Sequence, residues 1–200
     1  MRAMFRWSVS LVVGLMISPV LLAHGYQYLI QVQSHLVQNA QGELSAIEQV
    51  WRYDQPTTTI LLEGLGLKDT ANAAELSPLR EQLVKDLTDL AYFTELRFNG
   101  VIAPREVVKE SILSIEQGRL VLKFKQPLAP ALKLKGELVI DMADPTGVGI
   151  PYHGHANQVI LPAALQSRCQ VTIELRQSIT NLLEFEHGKP AEWVNINCAE

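Results

Sequence analysis

Cysteine is nearly absent from this chain: among 200 residues it occurs only at Cys169 and Cys198. Two thiols so far apart exclude a cysteine-built metal cluster, which needs three or four closely spaced ligands, and they do not form a CxxC motif. There is no HExxH helix, nucleophile elbow or phosphate-cradling glycine loop. Serines, histidines and aspartates are present but scattered, so no enzyme is expected. Basic residues are also in deficit, 17 against 21 acids, for a formal net charge of −4. A nucleic-acid partner needs a basic surface to meet its phosphates, and this composition argues against one. No uninterrupted apolar run reaches the ~20 residues that a membrane-spanning helix requires.

The one notable apolar stretch lies at the start. Arg2 and Arg6 lead into Trp7–Ala23, interrupted by Ser8, Ser10, Gly14, Ser18 and Pro19. A basic start, a short hydrophobic middle and a small final residue predict a secretory signal peptide over residues 1–23, cut after Ala23. Its shortness and Pro19 argue against a retained transmembrane helix. Cleavage would lower the basic count from 17 to 15 against 21 acids, a net charge of −6. Residues 24–200 suffice for one domain with its own core, and the expected location is an exported one, outside the cytosol. In that oxidising compartment Cys169 and Cys198 are expected to pair. The pattern agrees: Val171, Ile173 and Leu175 are in phase with Cys169, and Val194 and Ile196 with Cys198, so both thiols sit on apolar strand faces.

Alternation of period two dominates the mature chain. Tyr26, Tyr28, Ile30 and Val32 line one face of a first strand; Gln27, Gln31, Gln33 and His35 line the other. A turn at Asn39–Glu43 returns the chain as a second strand ending at Asp54. Further strands are expected at Thr94–Gly100, Arg105–Ile115, Arg119–Lys125, Leu132–Asp141 and the two cysteine-bearing segments, with a hairpin turn between Ile115 and Arg119. Two stretches follow a helical rhythm instead. Thr57–Leu67 follows Pro56, which suits a first helical turn, and ends at Gly64 or Gly66. Ala74–Phe93 places Leu76, Leu79, Leu83, Leu87 and Leu90 three or four apart, an amphipathic stripe whose role is core packing. The expected fold class is therefore α+β: an antiparallel β-sandwich-like body with a helical insertion between the second and third strands.

These elements carry a family resemblance. His24 after the leader, GELSAIEQVWRYD followed by TTTILLEGL, LSPLREQ…LTDLAYFTELRFNG, Asp144-Pro145 and the terminal AEWVNINC are similar to the exported bacterial proteins known as domain of unknown function 1007. The resemblance spans nearly the whole mature chain. It implies a periplasmic component of a transport system, associated with nickel, cobalt or zinc, and hence a membrane metal transporter as partner. Many relatives begin the mature chain with His-Pro-His, where this one reads His24-Gly25-Tyr26. The stretch before the long helix keeps only Asp69 and Glu75, too few oxygen ligands for a calcium loop.

His24 is the sharpest candidate ligand. Cleavage would give it a free α-amine beside its ring, and the two nitrogens, with pKa values of about 8 and 6.5, could close one chelate ring on nickel, cobalt, zinc or copper. His153 and His155, in YHGHANQ, would face the same way in extended backbone and could share an ion. A third ligand would come from His24, Asp141, Asp144 or His187, the last in an acidic turn with Glu184 and Glu186. His35 falls in phase with glutamines and is expected to be exposed. Trp51 and Tyr53 read as packing residues and Asp54 as a helix N-cap. Two functional expectations follow: a metal-binding accessory protein for transition-metal transport, and a non-metal periplasmic protein-binding or assembly module.

Overall fold

The computed structural model describes residues 27–181, 185, 186 and 188–199. The leader expectation for residues 1–23 lies outside them, as do His24 and His187. The first strand, β1 (Tyr28–Gln38), buries Ile30, Val32, Ser34 and Leu36 and turns the intervening residues outward. The turn at Asn39–Glu43 closes through backbone hydrogen bonds from Asn39 to Glu43 and from Gly42 to Asn39. It leads into β2 (Leu44–Tyr53), where Ile47, Gln49, Trp51 and Tyr53 form the inward row.

Asp54 then caps α1 (Gln55–Glu63). Its Oδ1 accepts from Thr57 N at 2.8 Å, and Oδ2 accepts from Leu29 N at 2.9 Å. One carboxylate thus satisfies an orphan helix donor and fastens the helix to β1. The second helix, α2 (Ser77–Asp89), buries Leu79 and Leu87. It is shorter than the expected Ala74–Phe93 because the chain leaves it through a left-handed turn, Ala91–Phe93, where three non-glycine residues have φ of 50°, 52° and 51°. Both helices stand between β2 and β3, as the pattern predicts.

The remaining elements are β3 (Thr94–Phe98), β4 (Val101–Ile102), β5 (Ser111–Glu116), β6 (Arg119–Leu132), β7 (Gly136–Met142), β8 (Gly149–Tyr152), β9 (Val159–Ile160), α3 (Ala163–Gln166), β10 (Cys169–Leu175) and β11 (Glu192–Cys198). They form two sheets. The first runs β5-β6-β2-β1-β8, with β9 also on β1; the second runs β10-β11-β7-β3-β4. Gln117 and Gly118, both at positive φ, close the β5–β6 hairpin, since a two-residue loop of that hand matches the strand twist.

Three details differ from the pattern. Residues 105–110 do not belong to β5: Arg105 makes only an isolated bridge to Leu128, and the chain there is held by Glu106 N on Pro127 O and Val108 N on the Tyr92 hydroxyl. The stretch expected over Leu132–Asp141 is divided between β6 and β7 by a turn at Gly136 (φ +92°). Finally, β8 and β9 pair with β1 in parallel rather than antiparallel. They arrive from the second sheet by a crossover rather than from a hairpin, and that sets their direction.

One apolar core joins the inner faces of both sheets and the two long helices. Trp51 lies at its centre, fully buried, stacked on Phe93 at 5.6 Å and edge-on to Phe124 at 5.3 Å. Each large apolar side chain enclosed there contributes roughly 1.5–3 kcal/mol. The Trp51 indole N–H donates to Gln49 Oε1 at 2.7 Å, Gln49 Nε2 reaches Thr94 Oγ1 at 3.4 Å, and Thr94 donates to the Tyr92 carbonyl at 2.7 Å. That chain satisfies the core's polar atoms across both sheets. At the second sheet's edge Cys169 and Cys198 stand directly opposite one another and form a disulfide.

Candidate functional site

Strand β1 takes two successive partners along one edge: Gln31 is opposite Tyr152, whereas Ser34 is opposite Val159. The partner chain therefore leaves the sheet between those positions in an excursion, residues 153–158. Gly154, at φ +80°, turns the chain inside it. His153 enters the protein and His155 stays exposed, so the extended spacing that would aim both rings one way is not adopted.

His153 is enclosed with two polar neighbours from distant strands. Its Nδ1 lies 2.8 Å from Glu192 Oε1 on β11, and its Nε2 lies 2.9 Å from Ser34 Oγ on β1. The backbone N–H of His153 donates to the same Glu192 oxygen, and Gly154 N donates to Oε2 at 3.0 Å. Burial pushes the Glu192 carboxyl up, but the ring and backbone hydrogen bonds from His153, with that of Gly154, outweigh it and hold the group below its ordinary value.

The order acid–imidazole–hydroxyl is that of a hydrolase triad. Ser34 is 0 % exposed, His153 1 % and Glu192 3 %, however, so no substrate carbonyl reaches Ser34 Oγ in this structure. The arrangement serves as a latch tying both sheets to the excursion. Ser34 and Glu192 were legible as anomalies. Each is a polar residue in phase with core positions, Ser34 with Ile30, Val32 and Leu36, and Glu192 with Val194 and Ile196. That they share one histidine is a tertiary fact.

A second polar cluster lies where β1 begins. Asp144 is buried; its Oδ1 accepts from Thr146 N (2.8 Å) and Thr146 Oγ1 (2.7 Å), and its Oδ2 from Gly149 N (2.7 Å). The Tyr28 ring covers Gly149 so closely that a Cβ there would lie 3.2 Å from the tyrosine hydroxyl. Burial, then the charges of Asp144 and Asp54, push the Tyr28 hydroxyl up to about 12. Gln27 Nε2 donates to Gly147 O at 3.3 Å. A side chain at Gly188 would meet the Pro145 carbonyl at 3.7 Å. The loop Asp144–Gly147 is thus bordered by Gln27 and Gly188.

The other expected residues are placed as follows. Asp141, on β7, accepts at Oδ2 from Arg97 Nη1 at 2.7 Å, while its buried Oδ1 has no donor among the described residues. His35 faces the polar side of the first sheet, as its phase predicts, with Nε2 3.0 Å from Gln33 Oε1. Among the described residues no group of three or more His, Cys, Asp or Glu side chains is disposed to hold a metal ion. No described helix is long and apolar enough to cross a membrane.

The family model described as protein of unknown function, DUF1007, matches residues 9–179, most of the chain. The chain belongs to this family. No curated protein matches it significantly. As a DUF1007 protein it bears out the resemblance carried by the aromatic strand around Trp51 and the LAYFTELRF segment, both of which lie within the matched span.

Proposed function

We propose that this DUF1007 protein is exported, cleaved after Ala23, and acts as a periplasmic accessory to a membrane transporter of nickel, cobalt or zinc. The carrying observation is the convergence on Asp144–Gly147. Gln27, three positions from His24, bonds that loop directly, and Gly188, next to His187, lies against it. Gln27 and Gly188, far apart in sequence, therefore meet the same short loop. The disulfide supports an oxidising compartment.

Of the side chains named for metal binding, His153 and Asp144 fit poorly, because their ring nitrogens and carboxylate oxygens already have partners. The donor chemistry that fits is a terminal amine beside an imidazole at His24, with His187 as the further ligand. A bound ion would be held there by chelation.

Calorimetric titration with nickel, copper and zinc tests this. Protein starting at His24 should bind at least one ion. A single additional residue before His24, or His24→Ala, should abolish the binding, and His187→Ala should weaken it. Flat titrations for all three ions with the authentic amino terminus would overturn the reading. A second reading, a non-metal binding or assembly module, is favoured by the saturation of His153. It predicts that partner capture from envelope extract is unchanged by chelator.

A further inference from the structure

The left-handed turn Ala91–Phe93 forms one wall of a cavity of about 420 Å³ on the outer side of the second sheet. Left-handed backbone costs a non-glycine residue roughly 1–2 kcal/mol, and here three in succession adopt it. Such conformations gather where geometry serves binding. The turn puts Phe93 into the core against Trp51 and presents the Ala91 carbonyl outward, where Arg105 Nη1 donates to it at 3.3 Å.

Arg105 is the unusual group. Its Nη1 also donates to the buried Gln126 Oε1 at 3.0 Å, which fixes the guanidinium plane. No described carboxylate forms an ion pair with it, and Nε and Nη2 have no hydrogen-bond partner among the described residues. Burial lowers its affinity for its proton, only partly offset by Glu95. A held, partly desolvated guanidinium with half its fork open is prepared for an anion from outside the chain.

The same cavity also holds the reverse imbalance. Glu95 and Asp141 stand directly opposite one another on β3 and β7, a repulsive pairing. Both claim the single guanidinium of Arg97: Asp141 Oδ2 at 2.7 Å, and Glu95 Oε1 in a closer ion pair. Arg97 is the cation ion-paired with both acids among the described residues, and Arg176 adds its charge at Asp141, so Glu95 is the less compensated carboxylate. Glu95 is the exposed member, its side chain 40 % accessible, and no described residue hydrogen-bonds its Oε2. Ile102 and Leu90 add apolar wall to the same cavity.

A simple anion would meet Arg105 but be repelled by Glu95 and Asp141. A simple cation would leave Arg105 unanswered. A molecule carrying both charges a few bonds apart answers both, and the volume lies within the ~300–1,000 Å³ usual for small-molecule sites. We propose that this cavity binds a free α-amino acid with an apolar side chain, its carboxylate on the Arg105 fork and its ammonium on Glu95. Its two charged contacts, Arg105 and Glu95, are not invoked for metal binding, although Asp141, Pro145 and Gly188 also line this cavity, so the amino-acid and metal titrations can fail separately.

The test is thermal-shift and calorimetric titration of the mature, disulfide-intact protein with L-leucine and L-alanine, and with N-acetyl-leucine and leucinamide, which each lack one of the two charges. The expected result is saturable binding of leucine, with both single-charge analogues at least about tenfold weaker, a difference of one decade in dissociation constant. Arg105→Gln should abolish leucine binding and Glu95→Gln weaken it about tenfold, each with unaltered circular dichroism. Arg105→Lys, which keeps the charge but not the fork, should bind more weakly than the parent and guards against a folding artefact in Arg105→Gln. Absence of leucine and alanine binding in the parent protein, equal binding of N-acetyl-leucine or leucinamide, or full binding by a folded Arg105→Gln protein would each overturn the proposal.

Discussion

Single residues in this protein matter most where polarity has been taken indoors. Glu192 is an acid on the inward face of β11, stabilised by three donors, two from His153 and one from Gly154. Glu192→Gln removes the charge those donors satisfy and is expected to cost about 2–4 kcal/mol, read as a drop in the urea midpoint. Ser34→Ala removes one bond at a neutral group and should cost only about 1 kcal/mol.

The sign with pH follows from the same contacts. The folded-state pKa of Glu192 is depressed, so its stabilisation is fully present above the unfolded carboxyl value of about 4.3 and is lost as pH falls through the lower folded value. Asp141 acts in the opposite sense. Burial raises its pKa, with Glu95 adding to this and Arg97 opposing it, so its share of stability declines as pH rises from the unfolded value to the folded one. Comparing acid-unfolding profiles of parent and Glu192→Gln isolates the first effect, and the variant's profile should be flatter below about pH 4.3. The core-phase positions of Ser34 and Glu192 could be seen in the alternation; the histidine between them could not, because Gly154 breaks the extended path on which its direction was predicted.

At the scale of elements, caps, turns and the crosslink decide where each segment stops. Asp54→Ala releases both Thr57 N and Leu29 N, and a loss of about 1–2 kcal/mol is expected, while Asp54→Asn should retain most of the cap; chemical denaturation distinguishes them. Ala91 is exposed and sits at φ 50° without packing of its own, so Ala91→Gly should stabilise the protein by roughly 0.5–1 kcal/mol. Reduction of Cys169–Cys198, which are 29 positions apart, frees a loop whose closure contributes roughly 3–4 kcal/mol on the chain-entropy model. The expected readout is a lower unfolding midpoint in reductant. The α1 start at Asp54 and the β5–β6 turn were legible because proline, aspartate and glycine act locally. The early end of α2 was not, since nothing in Leu-Ala-Tyr-Phe announces a left-handed turn; the pull of Phe93 onto Trp51 and of the Tyr92 hydroxyl toward Thr88 and Val108 holds it there.

For the whole molecule, the main core shared by both sheets predicts one cooperative transition. Trp51 is enclosed and Trp193 is 37 % exposed beneath the Arg176 guanidinium. In a Trp193→Phe protein cleaved after Ala23, Trp51 fluorescence and far-ultraviolet circular dichroism should therefore lose signal at the same denaturant concentration. Separate midpoints would show that the sheets unfold independently. By itself the amino-acid order determined the strand phases, the helical insertion after Tyr53, the pairing faces of the two cysteines and the acidic balance, all set by neighbours a few positions away or by composition. The tertiary structure alone decided that β8 and β9 run parallel to β1, that His153 is locked between Ser34 and Glu192, and that Arg105, Glu95 and Asp141 line one cavity. Those outcomes depend on which distant segments become neighbours, and contacts of that kind leave no periodicity in the chain to read.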